Sequence, residues 1–275
     1  MTQEEMWLLE EKYESVQSDA FLADCDRLKA GEPLAYLIGS IPFLNTTIYL
    51  DLPATCLPDR QGQAGSKPLI PRTETEFWVE KIIADINSSE VRPRIILGQT
   101  SDSLRVLDLC AGSGCIGVAV LKNVTYASVD FVEIDGTHHE TIRKNILEND
   151  IDISRAHIYG GDLFENITEK YDYILTNPPY IDPEQNQTDE SVKKYEPVLA
   201  LYAEDGGLKI IFRIIAEAHR FLNPQGVLVI EHDPEQSDEI RAYAELQHFE
   251  VATRLDQFGV ERYTHCLYSH SSFMS

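Results

Sequence analysis

The sequence predicts an α/β protein whose main part is a seven-stranded, mostly parallel sheet, preceded by a short N-terminal helical segment and a β-hairpin. From Leu104 onward, short apolar runs typical of buried strands alternate with segments of helical periodicity. This alternation is the pattern of parallel strands joined by helices that cover both faces of a sheet. The last two strand-like runs lack a long helix between them, so we expect them to form an antiparallel hairpin.

The N-terminal region changes in composition along its length. Residues 3–30 are rich in Glu, Leu, Ala and Lys, and their apolar residues recur at helical spacing. From Tyr36 to Ile70 the composition shifts to β-branched and aromatic residues with Pro and Asn breaks, which predicts a hairpin. Between its arms, residues 53–66 have the Gly, Pro and polar content of an exposed loop.

A helix is predicted to begin after Pro71. Thr73 and Glu76 have the spacing of a capping box in front of an apolar, helically periodic run. We therefore expect two parts in the chain, a short helix-and-hairpin segment over residues 1–72 and a larger α/β domain over residues 73–275.

The larger part contains the strand and helix patterns in alternation, after a polar linker near residues 98–103. Helices are expected over residues 114–121, 138–149 and 207–222. The predicted strands, in chain order, are LRVLDL, SVDFVEI, AHIYG, YDYILT, GVLVIEH, FEVATRLD and RYTHCLYS.

The composition disfavours several classes of protein. No apolar run approaches the ~20 residues that cross a bilayer, and the acidic N-terminus is unlike a targeting segment, so we expect a cytoplasmic protein without membrane contact. The net charge of −23, from 23 basic and 46 acidic residues, disfavours direct contact with nucleic acid. The same charge suits a basic protein partner or serves solubility alone. The five cysteines have no metal-ligand spacing, so we expect no metal site.

The first strand of the sheet leads into a glycine-containing loop and a helix, in the run RVLDLCAGSGCIGVAV. Gly112 and Gly114 let the backbone turn sharply and a ligand approach closely, which is typical of a nucleotide-like cofactor site in a Rossmann-like sheet. Asp108 ends the strand, at the edge where open α/β sheets bind ligands. A carboxylate there suits an ammonium group better than a pyrophosphate, and a full GxGxxG is missing. The loop therefore favours S-adenosylmethionine over NAD.

The next two strands also end in acidic residues. Glu133 ends the second strand, at the position where a carboxylate accepts hydrogen bonds from both ribose hydroxyls. Asp135 is the competing candidate for this role. After the third strand, GGDLF places Asp162 to accept from an adenine amine and Leu163 to pack beside the ring. A single acid at a strand end is often only a capping or solvated residue, but the ordered set favours a cofactor site.

The tetrapeptide Asn177-Pro178-Pro179-Tyr180 follows the fourth strand directly. The prolines fix φ and remove amide donors, so the loop is expected to be a rigid array of acceptors. The Asn177 side-chain oxygen and the Pro178 carbonyl can each accept one proton of a planar NH2 group, and Tyr180 can stack on that group or wall the pocket. Adenine N6, cytosine N4 and glutamine N5 all fit this description. A purely structural Pro-Pro turn is the alternative.

From about Gly31 to the C-terminus, the sequence resembles the class I methyltransferases of the release-factor glutamine kind, called HemK or PrmC in bacteria. NPPY is shared with amino-methylating DNA enzymes, whereas GEPLAY followed by IPRxETE is more specific. The shared segments, in order, are GEPLAYLIGSIPF, LIPRTETE, DLCAGSGCIG, GDLF, NPPYID, YEPVLALYAEDGG, LVIEH and FGVERYTHCLY.

The resemblance implies an enzyme that transfers a methyl group from S-adenosylmethionine to glutamine N5 in the Gly-Gly-Gln motif of a peptide chain release factor. It implies that Asn177, Pro178 and Tyr180 are catalytic and that residues 177–180 hold the substrate. It also makes residues 1–72 the partner-recognition part and residues 73–275 the catalytic domain. It implies cofactor contacts by residues 110–114, Glu133 and Leu163. With the residues predicted from the ends of the strands, the expected cofactor site comprises Asp108, Cys110, Ala111, Gly112, Ser113, Gly114, Glu133, Asp162, Leu163 and Asn177.

Three departures from the family pattern are visible. Cys110 replaces the first glycine of the cofactor loop, which is tolerable if its φ is negative. Thr73 replaces a proline in the IPRPETE pattern, where Arg72, Glu74 and Glu76 are implied to close one side of the site. The helical N-terminal part is shorter than usual, and residues 53–66 look inserted.

Four readings of the function follow. The leading one is methylation of a release factor by a monomeric enzyme. A ribosomal-protein glutamine is the neighbouring substrate, and IPRTETE favours the first. A DNA or RNA amino-methyltransferase is disfavoured by the charge and by the missing target-recognition domain. A non-catalytic cofactor-binding module would be expected to have lost Asn177 or Asp108, and the sequence has both.

Overall fold

The computed structural model describes residues 1–51, 67–88, 103–185 and 188–269. The predicted loop over residues 53–66 and most of the linker near residues 98–103 lie outside these ranges. The described strands are β1 (Ser40–Phe43), β2 (Thr46–Tyr49), β3 (Leu104–Leu109), β4 (Ala127–Glu133), β5 (Ala156–Gly160), β6 (Tyr171–Thr176), β7 (Leu222–Glu231), β8 (Phe249–Leu255) and β9 (Glu261–Tyr268).

The described helices include two very short ones. They are α1 (Gln3–Tyr13), α2 (Asp19–Lys29), α3 (Leu34–Ile38), α4 (Thr73–Asn87), α5 (Cys115–Asn123), α6 (His138–Glu148), α7 (Glu190–Tyr195), α8 (Val198–Leu201), α9 (Lys209–Ala218) and α10 (Ser237–Leu246). No helix in these ranges is long and apolar enough to span a membrane.

Strands β3 to β9 form one seven-stranded sheet in the order β5-β4-β3-β6-β7-β9-β8. The pairs among β3 to β7 are parallel, and β9 pairs antiparallel with β7 and β8. This confirms the predicted fold class and the closing hairpin. The strand order reverses between β3 and β6, and the loops at such a switch point lie beside one crevice at the carboxyl edge. The glycine loop after β3 and the NPPY loop after β6 are those loops.

The N-terminal part is divided between two hydrophobic cores. Helices α1 to α3 enclose a small cluster that includes Leu8, Phe21 and Leu37. The β1–β2 hairpin instead joins the main core, where Phe43 and Ile48 are buried in the same cluster as residues of α4 and α5. Burial of these side chains therefore fixes the hairpin to the large domain.

Asn145 of α6 and Asn149, the C-cap residue of that helix, bind the hairpin edge as a neighbouring strand would. Asn149 accepts from the Thr47 amide at 2.9 Å and donates to the Thr47 carbonyl at 2.8 Å. Asn145 accepts from the Tyr49 amide at 2.7 Å and donates to the Tyr49 carbonyl at 3.1 Å. Because they are four residues apart, both face the same way on α6. They satisfy four backbone groups of β2.

Several local predictions were wrong. Helix α4 begins at Thr73, but Arg72 is its N-cap residue and no side chain caps it, so the Thr73–Glu76 capping box does not form. Glu76 accepts instead from the Leu44 amide at 2.5 Å. Tyr36 lies in helix α3 rather than in the hairpin, and the helix expected over residues 207–222 is only Lys209–Ala218. Four helices, α3, α7, α8 and α10, were not predicted.

Candidate functional site

The loop after β3 is held by the carboxylate that ends β4. Glu133 Oε2 accepts from the Gly112 amide at 2.7 Å, and Oε1 accepts from the Asp135 amide at 2.8 Å. The glycine loop and the end of β4 are therefore joined through one side chain. Since each carboxylate oxygen has two acceptor positions, Glu133 keeps capacity for further donors.

A cleft opens between this loop and the ends of β4, β5 and β6. Ile134 is 55% exposed at its wall, and Leu69 and Leu199 cover its opposite side. The cleft brings together seven of the sequence-predicted site residues, Cys110, Gly112, Glu133, Asp162, Leu163, Asn177 and Pro179, together with the competitor Asp135. The predicted residues Ala111, Ser113 and Gly114 do not line it and are buried in the loop.

Asp108 lies beneath the loop rather than in the cleft wall. It is fully buried, and its Oδ2 accepts from the Gly117 amide in the first turn of α5 at 2.8 Å. Its Oδ1 has no hydrogen-bond partner among the described residues. Burial raises the pKa of this carboxyl well above its ordinary value. Asp108 thus ties the strand to the helix and keeps one free acceptor below the loop.

Cys110 adopts a left-handed backbone conformation, with φ of 61°. The condition that a negative φ would make this cysteine harmless is therefore not met. A side chain in this region costs about 1–2 kcal/mol relative to glycine. Position 110 therefore has the left-handed backbone conformation that favours glycine, although its residue is a cysteine.

The residues after β5 occupy the far end of the cleft. Leu163 is 6% exposed, so it forms an apolar wall there. Asp162 is partly exposed, and its two oxygens accept from the Arg213 guanidinium at 3.2 and 2.9 Å. This surface pair orients the carboxylate without burying it.

A second, smaller cleft adjoins the first. Pro178 and Tyr180 line it, together with Arg72, Ile181 and Leu201. Asn177, Leu69 and Ala200 line both clefts. The NPPY loop therefore contributes to two clefts. The first lies beside the glycine loop, the second is lined by Arg72, and Asn177 lines both.

Asn177 begins a hydrogen-bond chain that ends on a buried glutamate. Its Nδ2 donates to Thr75 Oγ1 at 3.1 Å, and Thr75 donates to Glu231 Oε2 at 2.6 Å. Trp78 Nε1 donates to the same oxygen at 2.7 Å, and the Tyr180 hydroxyl donates to Oε1 at 3.2 Å. Glu231 is 1% exposed, and burial raises its pKa from the ordinary value.

The backbone of Tyr180 is fixed from the opposite side. Gln236 Nε2 donates to the Tyr180 carbonyl and to the Gly206 carbonyl, each at 2.8 Å. Gly207 has φ of 82°, and a Cβ added there would overlap the Tyr180 carbonyl oxygen. Only glycine allows this approach, which explains the second glycine of the AEDGG segment.

Comparison with known proteins identifies the family. Residues 95–195 match the family model described as methyltransferase small domain. The release factor glutamine methyltransferase of Francisella tularensis is 35% identical over 217 residues, which are 78% of this chain and 67% of that protein. The enzyme of the same name from Bifidobacterium longum is 34% identical over 90% of this chain and 80% of that protein.

The chain belongs to the release factor glutamine methyltransferase family. A second kind of relative is the ribosomal protein uL3 glutamine methyltransferase of Francisella tularensis, 37% identical over 54% of this chain and 47% of that protein.

Solved structures agree with this family in fold. A ribosomal protein L11 methylase from Lactobacillus delbrueckii has a TM-score of 0.50 and 17% identity, covering 74% of this chain and 81% of that one. The 16S rRNA N2 G1207 methyltransferase of T. Thermophilus, in complex with AdoMet and guanosine, has a TM-score of 0.52 and 18% identity, covering 84% of this chain and 49% of that one. These likenesses show that this family member has the Rossmann-like methyltransferase fold.

Sequence reasoning missed several residues around the NPPY loop of this methyltransferase. Thr75 and Trp78 come from α4, and Gln236 comes from the turn before α10. No spacing rule links these positions to Asn177, because they meet only through tertiary packing. The sequence contained one signal of this support: Glu231 is a carboxylate at the end of the otherwise apolar run GVLVIEH.

Proposed function

We propose that this chain transfers a methyl group from S-adenosylmethionine to the N5 amide nitrogen of the glutamine in the Gly-Gly-Gln motif of a peptide chain release factor. The observation that carries the proposal is the position of Asn177, which lines both clefts while its amide nitrogen is bound to Thr75. The names of the relatives that match most of the chain support the same substrate.

The cofactor is S-adenosylmethionine, and the first cleft is the place we propose for it. Bound there, it supplies an electrophilic methyl group on a sulfonium. Glu133 has acceptor capacity left for ribose hydroxyls, while Ile134 and Leu163 offer apolar surfaces to an adenine ring. We propose that Asp162 accepts from the adenine amine and that residues 110–114 contact the methionine portion. Asp108 is fully buried beneath the loop, so we propose that its free Oδ1 attracts the cationic amino group of the cofactor electrostatically rather than by direct contact.

The second cleft is the place we propose for the substrate amide. An amide nitrogen is a poor nucleophile because its lone pair is delocalised into the carbonyl. Two acceptors that bind both of its protons favour the charge that develops as the nitrogen reacts. Asn177 Oδ1 and the Pro178 carbonyl receive no hydrogen bond from the described residues, so both keep their acceptor capacity. Tyr180 would pack against the planar amide.

The N-terminal part is proposed as the region that recognises the partner. Residues 1–72 include helices α1 to α3 and the β1–β2 hairpin, which is anchored to α6. The net charge of −23 favours a basic partner surface. We propose that the enzyme acts as a monomer on this protein substrate.

A ribosomal-protein glutamine is the second candidate substrate, favoured by the likeness to the uL3 enzyme. That likeness covers 54% of the chain, whereas the release factor enzyme from Bifidobacterium longum matches 90%. The longer match covers much more of this chain, so it favours the release factor.

Methyl transfer from labelled cofactor tests the proposal directly. The purified chain should label a release factor, and mass spectrometry should place a single methyl group on the glutamine of its Gly-Gly-Gln motif. Asn177→Ala and substitution of that glutamine should each abolish the label. If uL3 but not the release factor is labelled, the substrate is the ribosomal protein rather than the release factor. If only oligonucleotides are labelled, the proposal of a protein methyltransferase is overturned.

A further inference from the structure

One buried carboxylate is connected to both ends of the NPPY tetrapeptide. Glu231 accepts from the Tyr180 hydroxyl through Oε1, and it reaches Asn177 through Thr75 by way of Oε2. These four side chains come from three parts of the chain: β7, α4 and the loop after β6. With Glu231 1% exposed and Thr75 1% exposed, no bulk water competes for these bonds.

The direction of each hydrogen bond follows from the groups involved. Burial raises the pKa of Glu231, whereas the hydrogen bonds from Thr75, Trp78 and Tyr180 lower it and favour the ionised form. An ionised carboxylate only accepts, so the two hydroxyls and the indole N–H all donate to Glu231. The Thr75 hydroxyl has one proton, and the 2.6 Å contact with Glu231 uses it. Its oxygen can therefore only accept from Asn177.

This constraint decides the orientation of the Asn177 amide. The oxygen and nitrogen of an asparagine side chain are distinguished by their partners rather than by shape. With Thr75 as an obligatory acceptor, Nδ2 must face Thr75, because the reversed amide would set two acceptor oxygens against each other. Oδ1 is then left on the side away from Thr75, without a donor among the described residues.

We propose that Glu231, acting through the Thr75 hydroxyl, is a positioning residue that holds the Asn177 amide with its oxygen available to the NH2 group of the substrate. This inference rests on the proposed function, because that function makes Asn177 Oδ1 an acceptor for the methylated nitrogen. Glu231 and Thr75 do not contact the reacting atoms. They set which end of the Asn177 side chain the substrate meets.

A pair of nearly isosteric variants tests the proposal. Thr75→Val removes the hydroxyl with little change of volume, whereas Thr75→Ser keeps it. We expect Thr75→Val to lower kcat about 100-fold, similar to the loss of one well-placed transition-state hydrogen bond. KM for S-adenosylmethionine and for the release factor should change little. Thr75→Ser should retain most of the wild-type kcat, and thermal unfolding of both variants checks that they fold.

A second readout does not depend on methyl transfer. The side-chain NH2 signals of Asn177, assigned by their disappearance in Asn177→Ala, should exchange slowly with solvent in the wild type and in Thr75→Ser. In Thr75→Val they should exchange at least tenfold faster. This readout still tests the positioning role if the wild-type enzyme fails to methylate a release factor, which would be a failure of the proposed function alone.

Two outcomes overturn the positioning role. One is a folded Thr75→Val enzyme with wild-type kcat and protected Asn177 signals. The other is a Thr75→Ser enzyme as impaired as Thr75→Val, because the effect would then come from packing of the γ-methyl group rather than from the hydroxyl.

Discussion

The guanidinium of Arg72 donates to both carboxylate oxygens of Glu196, at 2.8 and 2.9 Å, across 124 positions of the chain. Glu196 also accepts from the Ile70 amide at 3.3 Å. The pair joins the segment before α4 to the segment before α8. Leu69 of the first segment and Ala200 of α8 line both clefts, and Arg72 itself lines the second.

Arg72→Met should destabilise the protein by about 2 kcal/mol, because it leaves the carboxylate of Glu196 buried without its cation. The value is below that of a fully buried pair since the Arg72 side chain is 33% exposed. Urea unfolding measures the change. In the double variant Arg72→Met/Glu196→Gln an uncharged amide replaces the carboxylate, so much of the lost free energy of unfolding should be recovered. Equal losses in the single and double variants would show that the ion pair is not the cause.

Gly207→Ala should impair methyl transfer, because the added Cβ overlaps the Tyr180 carbonyl and must displace the NPPY loop. Gly206→Ala is the matched control: its φ of 65° carries similar backbone strain, but its Cβ would meet open space. Both variants should lose about 1–2 kcal/mol from the left-handed conformation. Only Gly207→Ala should also lose kcat, and equal kinetics in the two variants would contradict the close contact.

Cys110→Gly should be more stable than Cys110→Ala by about 1 kcal/mol. Both variants remove the thiol, but only glycine relieves the strain at φ of 61°. Urea unfolding compares the two. A more stable alanine variant would mean that this position is not left-handed in solution.

Asn149→Ala should loosen the β1–β2 hairpin, because it removes both bonds to the Thr47 backbone. We expect a loss of about 1–2 kcal/mol, since the amide and carbonyl of Thr47 then lack partners. Hydrogen exchange should quicken at Thr47. Asn87→Ala, which removes an exposed bond to the Asn123 carbonyl, should leave that exchange rate unchanged.

His265 makes stability depend on pH. Burial and the nearby Arg254 lower its pKa to about 4 from an ordinary value of 6.5. Between these two values the unfolded chain binds the proton more strongly, so the contribution of His265 to the free energy of unfolding falls as the pH drops from about 6.5 to about 4. In His265→Gln this contribution, on the order of 1–2 kcal/mol, should vanish. A pH dependence identical to the wild type would exclude His265 as its source.

The seven-stranded sheet was predictable because its strands are short apolar runs and most segments between them have helical periodicity. Motifs at strand ends then placed Glu133, Asp162 and Asn177 beside one crevice, since parallel strands deliver their carboxyl ends to the same edge. Local errors arose where tertiary contacts decide. Glu76 binds the Leu44 amide of the β1–β2 turn instead of capping its own helix, and that competition is invisible in a capping-box pattern.

The support of the NPPY loop could not be read from the sequence. Thr75 and Glu231 are 156 positions apart, and their 2.6 Å bond exists only because the fold brings the start of α4 to the last residue of β7. Gln236 holds the Tyr180 carbonyl from a turn with no motif of its own. Sequence motifs mark residues that meet ligands, whereas the residues that orient them are specified by the packing of distant segments.

The side chain of Asn145 donates to the Tyr49 carbonyl in the hairpin and to the Ser113 carbonyl in the glycine loop. One amide group thus serves two regions that lie 64 positions apart in the chain. Replacement of the hairpin by another segment would therefore remove a partner that orients the Asn145 amide toward the glycine loop. The hairpin is consequently not an interchangeable module, because the backbone of its second strand also takes part in ordering the glycine loop.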